Sequence, residues 1–105
     1  MQYLHNRVYH VIVWLLMTML SVAAPSVRPG VGAIPYAGGT TFRVWAPNAS
    51  SVHVAGTFNG WNTTSRPLYS EGSGWWSVDV PWASISQEYR YFLNGSLWRT
   101  DPYAR

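Results

Sequence analysis

Four carboxylates, three histidines and a scatter of serines are the groups from which a reaction could be built in this chain of 105 residues. The carboxylates are Glu71, Asp79, Glu88 and Asp101. Hydrolysis of a glycosidic bond needs two carboxyls about 5 to 10 Å apart across a sugar, one with its pKa raised and one ionised, in a deep cleft. Three of these four fall on or beside alternating segments, where they read as solvated face residues or turn caps. His5 and His10 lie in the N-terminal leader, which leaves His53 alone on a strand without a second imidazole. There is no cysteine, so neither a thiol nucleophile nor a Cys-ligated metal can be assembled. The serines have no base to assist them. No catalytic residue, no metal and no cofactor is expected.

What the composition does offer is flat aromatic surface. Seven Trp, seven Tyr and three Phe stand in a chain that is only 10% charged. Such a surface can stack on something flat. The seven basic side chains, Arg7, Arg28, Arg43, Arg66, Arg90, Arg99 and Arg105, are all arginine and never adjacent. The net charge of +3 is therefore spread out, and the continuous basic stripe of a nucleic-acid-binding surface is missing. The length allows one domain.

Extended segments must position these rings. Thr40 to Ala46 (TTFRVWA) and Ser51 to Gly56 (SVHVAG) are β-branched and alternating, separated by the turn-forming Pro47-Asn48-Ala49-Ser50, and are expected to pair as antiparallel neighbours. Thr57 to Gly74 reads mostly as loop. Trp75 to Val80 (WWSVDV) alternates again, with Trp76, Val78 and Val80 on one face and Trp75, Ser77 and Asp79 on the other. Pro81 to Gln87 turns the chain into Glu88 to Leu93 (EYRYFL). Asn94-Gly95 is the strongest hairpin signal in the sequence, returning the chain as Ser96 to Thr100 before Asp101-Pro102 ends the strand. The core candidates are Val44, Val52, Val54, Phe58, Val78, Val80, Tyr91 and Leu93, while Trp45, Trp75, Trp76 and Trp82 are assigned to the core or to an interface. No segment from Pro25 onward has helical periodicity, so the expected class is all-β with an immunoglobulin-like sandwich.

Two stretches precede this body. Residues 1–24 pair a polar start containing one arginine with the apolar run Val11 to Ala24, too short to span a bilayer and ending in small residues. They read as a signal peptide, which would make the protein secreted or periplasmic; without that function it would be cytoplasmic. Residues 25–39, with three prolines, read as an extended lead-in to a domain at 40–105.

Three segments carry a resemblance. Thr41 to Ala49 (TFRVWAPNA), Val52 to Trp61 (VHVAGTFNGW) and Asp101 to Ala104 (DPYA) resemble, in order and spacing, the N-terminal domain of glycogen branching enzymes, isoamylases and related glycoside hydrolase family 13 enzymes. That domain is the family 48 carbohydrate-binding module, related to the glycogen-binding domain of the AMP-activated protein kinase β subunit. The resemblance runs from about Gly32 to Arg105. It implies an early-set immunoglobulin-like sandwich and a non-catalytic module whose partner is an α-1,4/α-1,6 glucan such as starch or glycogen. It also implies that Trp61 is one stacking platform, that Trp98 is a second, displaced by the extra Leu97, and that Arg90 is a basic residue contacting sugar. A plugging or docking role for the same tryptophans, against the catalytic barrel of such an enzyme, is the alternative. Family members continue beyond DPYA into a last strand and that barrel, whereas this chain stops at Arg105, so the resemblance implies a C-terminally truncated sandwich.

Overall fold

The computed structural model describes residues 24–84 and 87–104. The leader reading of residues 1–24 lies, apart from Ala24, outside the described residues. Among the described residues, seven strands run in chain order: β1 (Gly32–Tyr36), β2 (Gly39–Trp45), β3 (Val52–Gly56), β4 (Tyr69–Gly72), β5 (Trp75–Pro81), β6 (Tyr89–Leu93) and β7 (Leu97–Arg99), with one 3₁₀ turn at Thr57–Asn59 after β3. They form a four-stranded sheet in the order β1-β2-β5-β4 and a three-stranded sheet in the order β3-β6-β7. Every ladder is antiparallel. This is the strand order of a seven-stranded immunoglobulin sandwich.

Alternation determines what each sheet buries. On the first sheet, Phe42 faces Val78 and Thr40 faces Val80 across the β2–β5 ladder. On the second, Val52 faces Leu93 and Val54 faces Tyr91. These inward sets meet in one core made of Phe42, Val44, Val52, Val54, Leu68, Val78, Val80, Ala83 and Tyr91, with Phe58, Trp76, Tyr89 and Leu93 packed at its margin. The eight expected core residues all fall in or against it.

The expected β2–β3 hairpin does not form. β2 pairs with β1 and β5, and β3 pairs with β6. The Ala46 N–H is captured by the Gly74 carbonyl at 2.8 Å. At the other end of the turn, the Asn94 side-chain oxygen accepts from the backbone N–H groups of Ser50, at 2.7 Å, and Ser51, at 3.4 Å. Pro47 to Ser50 therefore carries the chain from one sheet to the other. A hairpin would have put both apolar faces on the same side of one sheet; in opposite sheets they bury each other.

Two short strands were also absent from the sequence reading. β1 lies inside the supposed lead-in, where Pro35 is tolerated because β1 is an edge strand and needs no second ladder at that position. β4 is four residues of Tyr, Ser, Glu and Gly, a composition of low strand propensity, held by pairing with β5.

Residues 24–31 strap the outer face of the first sheet. Ser26 donates its N–H to Ser77 Oγ at 2.9 Å and its hydroxyl to Asp79 Oδ1 at 2.6 Å, while Thr41 Oγ1 donates to the same carboxylate oxygen at 2.6 Å. Arg43 reaches in three directions, to Glu71 Oε2 (2.8 Å), the Gly30 carbonyl (2.8 Å) and the Ser26 carbonyl (3.2 Å). This network explains why Thr41, Arg43 and Ser77 are buried on what would otherwise be a wet face. Burial acts to raise the pKa of the Glu71 carboxyl, but hydrogen bonds from Ser77 and Arg43 and the Arg43 charge outweigh it and hold the group below its ordinary value.

β7 is a three-residue edge strand. Leu97 and Arg99 lie opposite Leu93 and Tyr91, on the inward side of the sheet, and yet both are exposed. A groove of about 490 Å³ opens there between the sheets, lined by Val44, Trp45, Leu93, Leu97, Arg99 and Pro102 among others. Tyr91, at its floor, is buried with a hydroxyl that has no hydrogen-bond partner among the described residues. Burial, with Asp101 and Tyr89 nearby, pushes that phenol well above its ordinary pKa.

Two outcomes test this account. Replacing Phe42 by Ala removes a buried ring from between the sheets and is expected to cost about 3 to 5 kcal/mol in urea unfolding; a loss below about 1 kcal/mol would contradict its place in the core. For Glu71 the folded pKa is the lower one, so its contribution is present above the unfolded value near 4.5 and is lost as pH falls through the folded value. Urea midpoints measured between pH 7 and pH 3 should fall less steeply for Glu71→Gln than for the wild type over that acid range.

Candidate functional site

The outer face of β3-β6-β7 is where the exposed aromatic side chains gather. Alternation along β6 sends Tyr89, Tyr91 and Leu93 inward and leaves Arg90 and Phe92 outward. Register then lines His53, Phe92 and Trp98 across the sheet, with Ala55 and Arg90 in the adjacent row. Phe92 supports Trp98, their ring centroids 4.9 Å apart.

Trp61 reaches the same face from a loop. Trp61 and Trp98 meet with centroids 6.4 Å apart and ring planes at 62°, an edge-to-face contact. They are 38% and 41% exposed, so the pair forms a V-shaped aromatic surface with both arms partly open to solvent. The chain thus brings together two of the three residues singled out in the sequence. Arg90 sits on the same face and is exposed, with no hydrogen bond or ion pair holding its guanidinium among the described residues.

The segment Gly56-Thr57-Phe58-Asn59-Gly60-Trp61 shows how local chemistry delivers that indole. Phe58 anchors the loop by stacking on Phe42, centroids 5.6 Å apart. The Asn59 carboxamide staples it: its oxygen accepts from the Gly56 N–H at 3.0 Å, and its nitrogen donates to the Asn62 carbonyl at 3.2 Å and Ser65 Oγ at 3.1 Å. The Trp61 N–H returns to the Gly56 carbonyl at 2.9 Å. Gly60 and Trp61 both take left-handed backbone, with φ of 63° and 60°. For glycine this is costless; for tryptophan it is strained and persists because the surrounding bonds impose it. Gly56 cannot carry a side chain, since a Cβ there would stand 2.4 Å from the Glu88 carbonyl oxygen and 2.8 Å from the Phe58 ring.

The hairpin that presents Trp98 follows its sequence closely. Asn94 and Gly95 have φ of 56° and 70°, the positive pair that an Asn-Gly turn supplies. Ser96 N–H closes on the Leu93 carbonyl at 3.0 Å.

Three of the four carboxylates are occupied elsewhere, and the fourth, Glu88, is exposed. Asp79 and Glu71 hold the strap and Arg43. Asp101 is buried, accepts from the Tyr89 hydroxyl at 2.5 Å and caps the Tyr103 N–H at 2.9 Å. Of the tryptophans assigned to core or interface, Trp76 packs against the core and donates to the Ala46 carbonyl at 3.1 Å, and Trp75 is half-buried. Trp45, the last residue of β2, and Trp82, in the turn after β5, do not belong to the core: they are 55% and 83% exposed. His53 is half-buried, and its Nδ1 has no partner among the described residues. Phe92, Asn59 and Phe42 are the supporting residues missed by sequence reasoning; the alternation of EYRYFL was signal enough to find Phe92 on the face of Arg90.

Known proteins place this geometry in a family. The sequence profile described as carbohydrate-binding module 48 (isoamylase N-terminal domain) matches residues 30–104. The 1,4-alpha-glucan branching enzyme GlgB of Dechloromonas aromatica is 43% identical over 81 residues, a match covering 71% of this chain and 13% of that enzyme. The corresponding enzyme of Deinococcus radiodurans is 40% identical over 92 residues, covering 78% and 13%. Among solved structures, a pullulanase of Paenibacillus barengoltzii, as its D470A mutant complexed with maltotetraose, superimposes with a TM-score of 0.57 at 29% identity, covering 74% of this chain and 13% of the pullulanase. The match thus spans about an eighth of the length of these relatives. The chain belongs to the carbohydrate-binding module 48 family, the isoamylase N-terminal domain family.

Proposed function

We propose that the protein is a non-catalytic module that binds α-1,4/α-1,6-linked glucans such as glycogen or starch, within a longer amylase-family enzyme. Trp61 and Trp98 act as stacking platforms and Arg90 as a hydrogen-bonding arm. The observation that carries the reading is the exposed Trp61–Trp98 pair with its planes at 62°. A ribbon-like polysaccharide lies flat and is best received by coplanar rings; a chain that turns from one sugar to the next presents successive faces at an angle, which suits two platforms inclined to each other. The ligand is neutral, and the face relies on indole surface and the planar donor fork of Arg90 rather than on clustered charge. Family membership supports the reading, as do the glucan-branching name of the relatives and the maltotetraose of the pullulanase structure.

A second reading is favoured by one feature. The groove beside β7, whose lining is mostly apolar with Arg99 at its edge strand and Leu97 exposed, would suit packing against the catalytic barrel of the same enzyme, and a docking domain would need no sugar of its own.

The energetics set the expected affinity. Two stacked rings at about 1 to 2 kcal/mol each, with about 1 kcal/mol from Arg90, leave little after the cost of association. Maltoheptaose should bind with Kd of roughly tens of micromolar to millimolar. In calorimetry on the folded chain, Trp61→Ala is expected to weaken binding about tenfold, equivalent to about 1.4 kcal/mol, and Trp98→Ala and Arg90→Ala should also weaken it. Asn59→Ala should weaken it without removing any ring, by releasing the loop that holds Trp61. Undetectable binding by the wild type, or binding unchanged in Trp61→Ala, Trp98→Ala and Arg90→Ala, would leave the docking reading in its place.

A further inference from the structure

The β5–β6 connection holds an unusual residue in an unusual place. Val80-Pro81-Trp82-Ala83 closes as a turn, the Ala83 N–H pointing to the Val80 carbonyl at 3.4 Å. Proline stands at the second position, and the third, Trp82, has φ of 65°. That third position of a type II turn is the one glycine favours, because a Cβ is strained there. Here it carries the largest side chain available, and that side chain is 83% exposed, so core packing does not explain it. The backbone is fixed from two sides: Trp82 N–H donates to the Gly38 carbonyl at 2.7 Å, and Thr40 Oγ1 donates to the Ala83 carbonyl at 2.6 Å.

The ring borders a depression of about 410 Å³ between the β1–β2 turn and this connection, whose lining includes Pro35, Tyr36, Thr40, Trp82 and Ser84. Among the described residues, none that lines it is charged. The depression suits a neutral ligand with an apolar face and hydroxyl edges better than an anion or a cation. Tyr36 is steadied from beside it, with the Arg28 guanidinium 3.8 Å from its ring centroid.

Its position connects it to the first site. Gly39 at the start of β2 is paired with Pro81 at the end of β5, and Gly56 at the end of β3 with Tyr89 at the start of β6. The β1–β2 turn, the β5–β6 connection and the loop bearing Trp61 thus leave the sandwich at one end. The Thr57 N–H to Glu88 carbonyl bond, 3.1 Å, ties the last two together. Trp61 and Trp82 are the only tryptophans with left-handed backbone among the described residues, and both are exposed there.

We propose that Trp82, with Tyr36 beside it, forms a second glucan contact, separate from the Trp61–Trp98 face and reached by the same polymer. The proposal rests on the glucan-binding reading above and adds to it a site that acts through avidity: it engages when one long chain or one particle spans both surfaces, and hardly at all with a short oligosaccharide.

The test is a pair of titrations on the full chain, one with glycogen or starch granules and one with maltoheptaose. Trp82→Ala is expected to weaken polymer binding about three- to tenfold while changing maltoheptaose affinity less than about twofold. Trp82→Gly, which removes the ring and suits the turn, should show the same loss with unchanged or raised thermal stability, separating the ring's role from any folding defect. Trp61→Ala should lower both affinities. If the wild type and Trp61→Ala differ as expected but both Trp82 variants bind polymer like the wild type, the second contact is overturned and Trp82 is left to a protein interface. If the wild type binds neither ligand, the glucan reading falls and this proposal with it.

Discussion

Phe42 joins the two sheets to each other and both of them to the candidate site. Its ring, fully buried on β2, meets Phe58 at 5.6 Å and Tyr89 at 5.0 Å. Phe58 belongs to the loop that ends in Trp61, and Tyr89 starts β6 and donates to Asp101. A single aromatic cluster therefore holds the first sheet, the second sheet, the platform loop and the C-terminal turn in one rigid arrangement. In a domain this small the same few rings must supply core stability and site geometry together, so a change at Phe42 is felt at Trp61 without touching it.

The three sequence segments that signal the family do different physical work. In FRVWAPNA, Phe42 and Val44 fill the core, Arg43 fastens the strap over the first sheet, and Pro47 directs the chain across to the other sheet. In DPYA, the buried Asp101 caps the last turn and anchors Tyr89. The middle segment, FNGW, delivers Trp61 to the outer face of the second sheet, where it meets Trp98. The family signature is thus mostly a record of how the sandwich is held, and a similarity in those segments speaks to fold more strongly than to ligand.

Much of this was legible in the sequence because period-2 alternation and Asn-Gly turn chemistry act locally. β2, β5, β6 and the last hairpin follow directly from them, as do the eight core residues. The β2–β3 pairing was misread because alternation says which side chains share a face and nothing about which sheet a strand joins; that depends on the Asn94 side chain, more than forty positions from the turn it holds. β1 and β4 were missed because pairing with β2 and β5 overrides their poor propensity. At the site, Trp61 and Trp98 were singled out by the family resemblance, but their mutual angle was not legible, since it arises from left-handed backbone at Gly60 and Trp61 that no local rule assigns to a tryptophan. The exposure of Trp82 was hidden for the same reason.

The crossed indoles of Trp61 and Trp98 also give the face an optical character of its own. Two like chromophores 6.4 Å apart and inclined at 62° couple their transition dipoles, and coupled transitions in a chiral arrangement split into bands of opposite sign in circular dichroism. Any molecule that lies on the pair, or any shift of the loop that Asn59 staples, alters that coupling before it alters the fold. The protein carries a spectroscopic gauge at the surface where recognition is proposed, built from its own side chains.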